Sequence, residues 1–140
     1  MYIYANSDTL KNKKIIYYLL ATILGLISIV VPTLFIPELK QYDSPLFPLI
    51  RTGIEGISTW SFGLLFLSGF GMKYFSKLSS LKIGLTTMAL FPIMAIFEIL
   101  VDSSSHNMLP IEFIFYVLYS IPAIFGAYLA EGIKLVLGSK

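Results

Sequence analysis

The chain has 140 residues, of which 56% are hydrophobic and 13% are charged, and its mean hydropathy is +0.82. A soluble domain normally carries about 25% charged residues, so this composition excludes an ordinary soluble domain. It also excludes a disordered chain, which needs low hydrophobicity and high charge. The net charge is only +2 and cysteine is absent, so neither nucleic-acid binding nor a thiolate metal site is indicated. The composition therefore predicts an integral membrane protein.

Four apolar stretches, taken in chain order, are long enough to cross a bilayer as helices. They cover residues 15–36, 52–72, 83–101 and 113–135, and each is close to the roughly 20 residues that span the hydrocarbon core. None shows the alternating pattern of a transmembrane β-strand. The sequence thus predicts an all-α fold, with residues 1–140 forming a single domain that is a bundle of four transmembrane helices. Trp60 falls inside the second stretch, where we expect a packing residue rather than an interfacial anchor.

Basic residues are distributed unevenly among the segments that connect these stretches. With four crossings, eight of the ten basic residues lie on one side: Lys11, Lys13, Lys14, Lys73, Lys77, Lys82, Lys134 and Lys140. The positive-inside rule assigns the lysine-rich side to the cytoplasm. We therefore predict a multi-pass protein of the cell membrane with both termini cytoplasmic and the lipid bilayer as its surroundings.

Two self-matches suggest an internal duplication. At an offset of 60 residues, Pro32, Ile36 and Glu38 fall on identical residue types, and at an offset of 63 Phe62 and Gly63 do the same. Both matches pair the first stretch with the third or the second with the fourth, which is the pattern of two repeated helical hairpins. The alternative is chance similarity between apolar segments.

Acidic residues gather at the side opposite the lysines. Glu55 lies about one turn inside the second stretch, and Glu98 lies about one turn before the end of the third. Ionisable residues in membrane helices usually face the protein interior and pair there. Arg51 and Glu55 are four residues apart, a spacing that predicts an ion pair on one helix face. The candidate ligand- or ion-binding residues are Glu55, Glu98, Arg51, Asp102, Glu38 and Glu112.

These residues have three interpretations. They form a structural ion-pair network that joins the second and third helices, or a site for a cation, a proton or a polar head group, or they extend to the membrane surface without a specific partner. Glu98, Asp102 and His106 repeat at a spacing of four, which makes them candidate metal ligands on one helical stripe. Serines 103–105 are poor helix formers, and one histidine supplies a single nitrogen ligand, so the metal interpretation is the weaker one. No cofactor is indicated.

Three functions follow from these patterns. The first is binding or translocation of a small cation, a proton or a polar-headed lipid at a carboxylate-lined outer end, where conduction would need a homo-oligomer. The second is a non-catalytic subunit or assembly factor that packs against other membrane proteins through small residues such as Ala21 and Gly25, or Ala123 and Ala127. The third is a lipid-modifying enzyme with Glu55 and Glu98 as acid and base. The sequence favours a role without catalysis.

Overall fold

The computed structural model describes residues 2–36, 41–106 and 108–138. These residues form helices joined by short segments, with no strand among them. Glu38, one of the candidate site residues, lies outside the described residues. The helices are α1 (Tyr2–Phe35), α2 (Pro48–Glu55), α3 (Thr59–Phe75), α4 (Ser80–Thr87), α5 (Leu90–Val101), α6 (Leu109–Tyr119) and α7 (Ile121–Gly138).

Three helical segments of the described chain are long and apolar enough to cross a membrane. They are Asn12–Phe35, Ser80–Val101, which joins α4 to α5, and Leu109–Gly138, which joins α6 to α7. The first, third and fourth predicted stretches therefore correspond to helical segments, and all three begin three or four residues earlier than expected. The composition and the length of these three segments fit the predicted membrane protein.

The second predicted stretch is not one continuous helix over residues 52–72. It is divided into the short α2 and the 17-residue α3 by the segment 56–58. Gly56 is a poor helix former, and the Ser58 hydroxyl accepts a hydrogen bond from Ser61 N–H at 3.2 Å, which is an N-cap for a new helix. The expectation for Trp60 was also wrong: it lies in the first turn of α3 and is 74% exposed.

Two prolines account for the divisions inside the other long segments. Pro92 has no N–H to donate to the carbonyl of Met88, and the chain tightens there, with Ala89 N donating to Thr86 O at 3.2 Å. Pro122 similarly follows the turn at Ser120, whose N–H is shared between two carbonyls at 3.2 Å. The helix axis is therefore interrupted shortly before each proline, while α1 continues past Pro32 to Phe35.

Side-chain contacts fix the directions of the helices. The Tyr17 hydroxyl donates to Phe75 O at 3.2 Å, and the Ser28 and Ser68 hydroxyls are 3.1 Å apart. The middle of α1 therefore lies beside the end of α3, and the two helices are antiparallel. Ser80 on α4 bonds Glu131 near the end of α7 at 2.5 Å, which makes that pair antiparallel as well. The part of α1 around Tyr17, the start of α4, the end of α3 and the C-terminal half of α7 thus meet at one end of the molecule. This end carries Lys13, Lys14, Lys73, Lys77, Lys82 and Lys134.

Small and hydroxyl-bearing residues share the interior with large apolar side chains such as Ile29, Leu65 and Phe91, but most of the large apolar side chains point outward. On α1, Ala21 and Ser28 are at most 1% exposed, while Leu19 and Ile23 are more than half exposed. Buried hydroxyls return their hydrogen bonds to helix carbonyls, as Ser28 does to Leu24 O at 2.7 Å. This distribution is the one expected where the surrounding medium is lipid, because burying a large apolar group then has no solvent-driven advantage.

Glycines let the helices approach closely. A Cβ built on Gly69 of α3 would lie 1.9 Å from Ala123 O, and one on Gly126 of α7 would lie 2.0 Å from Phe66 O. The predicted small-residue faces of α1 and α7 therefore turn inward, against other helices of this chain. Gly63 has nothing within 4 Å of its Cβ position, so it differs from Gly126, its partner in the offset-63 match. The repeated-hairpin hypothesis stays a prediction.

Candidate functional site

Arg51 and Glu55 lie on the same face of α2. Arg51 Nη2 and Glu55 Oε1 are 2.8 Å apart, so the ion pair that the spacing predicts is present. Pro48 begins α2 and its fixed φ suits the first helical turn. Arg51 N then donates to Phe47 O at 2.9 Å, which places the guanidinium one turn into the helix, beside the segment that joins α5 to α6.

His106, in the segment between α5 and α6, is the centre of the site. Its side chain is only 2% exposed. The Nε2 atom lies 2.7 Å from Glu98 Oε2, and the Nδ1 atom lies 2.5 Å from Glu112 Oε2. Arg51 Nη1 is 2.8 Å from the same Nδ1 atom. One buried imidazole therefore contacts charged groups from three different helices.

Glu98, near the end of α5, is enclosed by protein donors. Its Oε1 atom accepts hydrogen bonds from the Ser44 hydroxyl and from Phe47 N–H at 3.0 Å, and its Oε2 atom faces His106. The side chain is 5% exposed. This carboxylate fastens the segment before α2 to the end of α5, so its geometry is that of the structural interpretation.

Glu112, in the first turn of α6, is the more open acid. It is 3.7 Å from Arg51 through its Oε1 atom, and the Tyr116 hydroxyl donates to its Oε2 atom at 3.3 Å. Glu55 is more exposed still, at 36% of its side chain. We call Arg51, Glu55, Glu98, His106 and Glu112 the His106 cluster. Its three carboxylates face one guanidinium and one imidazole, so its net charge is −1 with a protonated histidine and −2 with a neutral one.

Asp102 does not join the cluster. The Ser104 hydroxyl and the Ser104 N–H donate to Asp102 Oδ1 at 2.7 and 2.9 Å, and these hydrogen bonds hold the pKa of Asp102 below its ordinary value. A lowered pKa means that the stabilising contribution of Asp102 is present at neutral pH and is lost as the pH falls through the folded-state pKa.

The helical metal stripe predicted for Glu98, Asp102 and His106 is wrong in its geometry. Helix α5 ends at Val101, Asp102 is its C-cap, and His106 reaches Glu98 only because the chain turns back. Within the described part of the chain, no group of three or more histidine, aspartate or glutamate residues is arranged to hold a metal ion.

Two clefts flank the His106 cluster. The first, which we call the α2–α6 cleft, has a volume of about 410 Å³ and is lined by Arg51, Glu55 and Glu112 on its polar side. Its other wall is apolar and includes Met108, Ile111, Phe115 and Tyr119. The second, the loop cleft, has a volume of about 530 Å³, and Asp43, Glu98 and Asp102 are among its lining residues. Arg51 lines both clefts, so Glu55 and Glu98 face different spaces on its two sides.

A second polar group lies at the lysine-bearing end. Lys73 is 8% exposed, and its Nζ atom donates to Leu78 O at 2.8 Å and lies 3.0 Å from Glu131 Oε1. Lys134 donates to Lys73 O at 3.0 Å. This group fastens α7 to the end of α3 and to the start of α4.

Sequence reasoning missed several of these partners. His106 was considered as a metal ligand rather than as a partner of Glu112 and Arg51, and Ser44 was not singled out, because both sets of contacts depend on how separate segments meet. A usable signal did exist for the pair of Lys73 and Glu131, since opposite charges at the ends of two apolar stretches on the same side tend to pair.

Comparison with known proteins finds no match to a protein family, to a characterised protein or to a solved structure.

Proposed function

We propose that the chain is a four-span protein of the cell membrane, and that α3 crosses the membrane in addition to the three long apolar segments. The 17 residues of α3 give a length of about 25 Å, which is slightly less than the hydrocarbon thickness and is supplemented at one end by the segment 56–58. In this arrangement the lysine-bearing end faces the cytoplasm, as the positive-inside rule requires. Both termini are then cytoplasmic, and the His106 cluster lies at the outer end.

The function that the geometry supports best is binding of an amphiphile with a positively charged head in the α2–α6 cleft. The observation that carries this proposal is the lining of that cleft: Glu55 and Glu112 with Arg51 between them on one side, and an apolar wall on the other. The net negative charge of the His106 cluster attracts a cation. Phe115 and Tyr119 supply apolar surface for a chain, and their aromatic faces also attract alkylammonium groups.

The subunit and enzyme alternatives have less support. The small residues that suggested docking onto other proteins are buried within this chain, since Ala21, Ala123 and Ala127 are 0% exposed. The acid–base pair that an enzyme would need is divided between two clefts, because Glu98 is enclosed by Ser44, Phe47 and His106.

The test is equilibrium dialysis of the purified full-length protein in dodecyl maltoside with radiolabelled decyltrimethylammonium, against protein-free micelles. We expect saturable binding, and we expect Glu55→Gln and Glu112→Gln each to weaken it about tenfold, since each removes a charge-assisted contact. Glu131→Gln, at the other end of the molecule, is the matched control and should leave the affinity unchanged.

Two further probes define the ligand. Decyl sulfate has the same chain with a negative head, and binding as tight as that of the ammonium compound would contradict the proposal. Tetramethylammonium has the head without the chain, and equal affinity for it would reject an amphiphile in favour of a small cation.

A further inference from the structure

One atom of the His106 cluster has two neighbours with opposite requirements. His106 Nδ1 lies 2.8 Å from Arg51 Nη1 and 2.5 Å from Glu112 Oε2. A guanidinium only donates hydrogen bonds and an ionised carboxylate only accepts them. Nδ1 therefore satisfies Glu112 when it carries a proton and Arg51 when it does not, and it cannot satisfy both.

The other ring nitrogen does not change partner between these two states. Nε2 faces Glu98 Oε2 at 2.7 Å, and the remaining oxygen of Glu98 is held by Ser44 and Phe47. Arg51 Nη1 is farther from Nε2, at 3.3 Å, so we assign a proton to Nε2 in both states because the nearer Glu98 only accepts hydrogen bonds. The exchangeable proton is the one on Nδ1, between His106 and Glu112.

Charged groups from several helices surround His106. Arg51, which is paired with Glu55, faces it from α2, Glu98 from α5, and Glu112 with the Tyr116 hydroxyl from α6. Asp102 on its own segment is occupied by Ser104. With both nitrogens protonated, His106 donates to Glu98 and to Glu112. Loss of the Nδ1 proton removes one positive charge and releases Glu112, which lines the α2–α6 cleft.

We propose that a proton on His106 and a cationic head group in the α2–α6 cleft compete for Glu112. This inference rests on the proposed function and adds its regulation. The buried imidazole is sealed from solvent, but Glu112 is 18% exposed and touches both the imidazole and the cleft. Binding of the cationic head group therefore displaces the Nδ1 proton, and the protonated cluster, with one more positive charge, holds the ligand less tightly.

The experiment measures the dissociation constant of decyltrimethylammonium in dodecyl maltoside between pH 5 and pH 8, the range in which histidine side chains change charge. We expect the affinity to rise about fivefold to tenfold over this range, since linkage to one proton allows at most about tenfold per pH unit. Calorimetric titration of the wild type at pH 6 in two buffers of different ionisation enthalpy should show release of up to one proton for each ligand bound. Absence of proton release in the wild type would overturn the inference.

His106→Gln keeps a donor toward Glu98 and cannot be charged. It should bind with the wild type's high-pH affinity at every pH, and a pH dependence that persists in this variant would overturn the inference. Asp102→Asn is the matched control, because it removes an exposed acid from the same segment and should retain the wild-type pH profile. Binding that is independent of pH in the wild type rejects the competition alone, whereas no saturable binding at any pH rejects the proposed function itself.

Discussion

At the scale of single residues, His106 allows three carboxylates to approach one another. Carboxylates held close together in a partly buried space repel strongly unless cations lie between them. Arg51 alone cannot contact all three, since Glu98 is on the far side of the imidazole. His106 bridges Glu98 and Glu112, while Arg51 bridges Glu55 and Glu112. The cluster is therefore a chain in which acidic and basic side chains alternate, rather than a single pair.

Replacing Glu98 tests the structural half of this cluster. Glu98→Gln puts an amide NH₂ where either His106 or the Ser44 and Phe47 donors now meet an oxygen. We expect a loss of about 2–3 kcal/mol in the free energy of unfolding, because a buried charge-assisted hydrogen bond is lost and a donor is left opposed. The measurement is unfolding by sodium dodecyl sulfate in mixed micelles, followed by circular dichroism.

Glu55→Gln is the control for that measurement. Its side chain is 36% exposed, so its ion pair with Arg51 is screened and should contribute less than about 1 kcal/mol. An equal or larger loss for Glu55→Gln than for Glu98→Gln would mean that Glu98 is not the residue that fastens this end of the molecule.

At the scale of helices, the interface of α3 with α7 depends on glycine. Gly69 and Gly126 are each in contact with a backbone carbonyl of the other helix, and a carbonyl held in a helix cannot move aside as a side chain can. The sequence indicated small-residue faces on α1 and α7 from their four-residue spacing. It left open whether they pack within this chain or against another protein, because spacing does not identify the opposing surface.

Gly69→Ala tests this close approach. The added methyl group would lie 1.9 Å from Ala123 O, so α3 and α7 must separate, and we expect a loss of about 1–3 kcal/mol in the free energy of unfolding. Gly63→Ala on the same helix adds its methyl group to open space and should cost nothing. If both variants unfolded at the same concentration of dodecyl sulfate, Gly69 would not be in close contact with the backbone of α7.

At the scale of the whole molecule, charge separates along the helix axes. The lysine-bearing end holds Lys73 and its neighbours at the end of α3, whereas the His106 cluster lies before the start of α3, at the end of α5 and the start of α6. Ion pairs are present at both ends, between Lys73 and Glu131 at one and within the His106 cluster at the other.

Cysteine labelling tests the proposed topology, because the natural chain has no cysteine. Asp43→Cys, Lys77→Cys and Ser103→Cys each introduce one thiol at an exposed position. With an impermeant maleimide on intact cells, we expect labelling at 43 and 103, and labelling at 77 only after permeabilisation. Labelling of 43 and 77 from the same side would mean that α3 does not cross the membrane, and the reverse pattern would invert the orientation.

The amino-acid sequence by itself determined the all-helical fold class, three of the helical segments and the pairing of Arg51 with Glu55. These features depend on composition and on spacing along the chain, which are local. The break at residues 56–58 also has a local sequence signal, because Ser58 is a helix N-cap residue before an apolar run. The mostly apolar composition of residues 52–72 nevertheless predicted a single helix.

Only the tertiary structure decided what surrounds each ionisable group. Depth in the membrane can be read from position along a helix, but the face that a helix turns toward its neighbours depends on packing across the whole chain. Glu55 and Glu98 lie at similar depth by sequence, yet the structure separates them with Arg51 and encloses Glu98. The position of His106 depends on a chain reversal after Val101, and its contacts with three helices follow from that reversal. No periodicity in the sequence predicts the reversal.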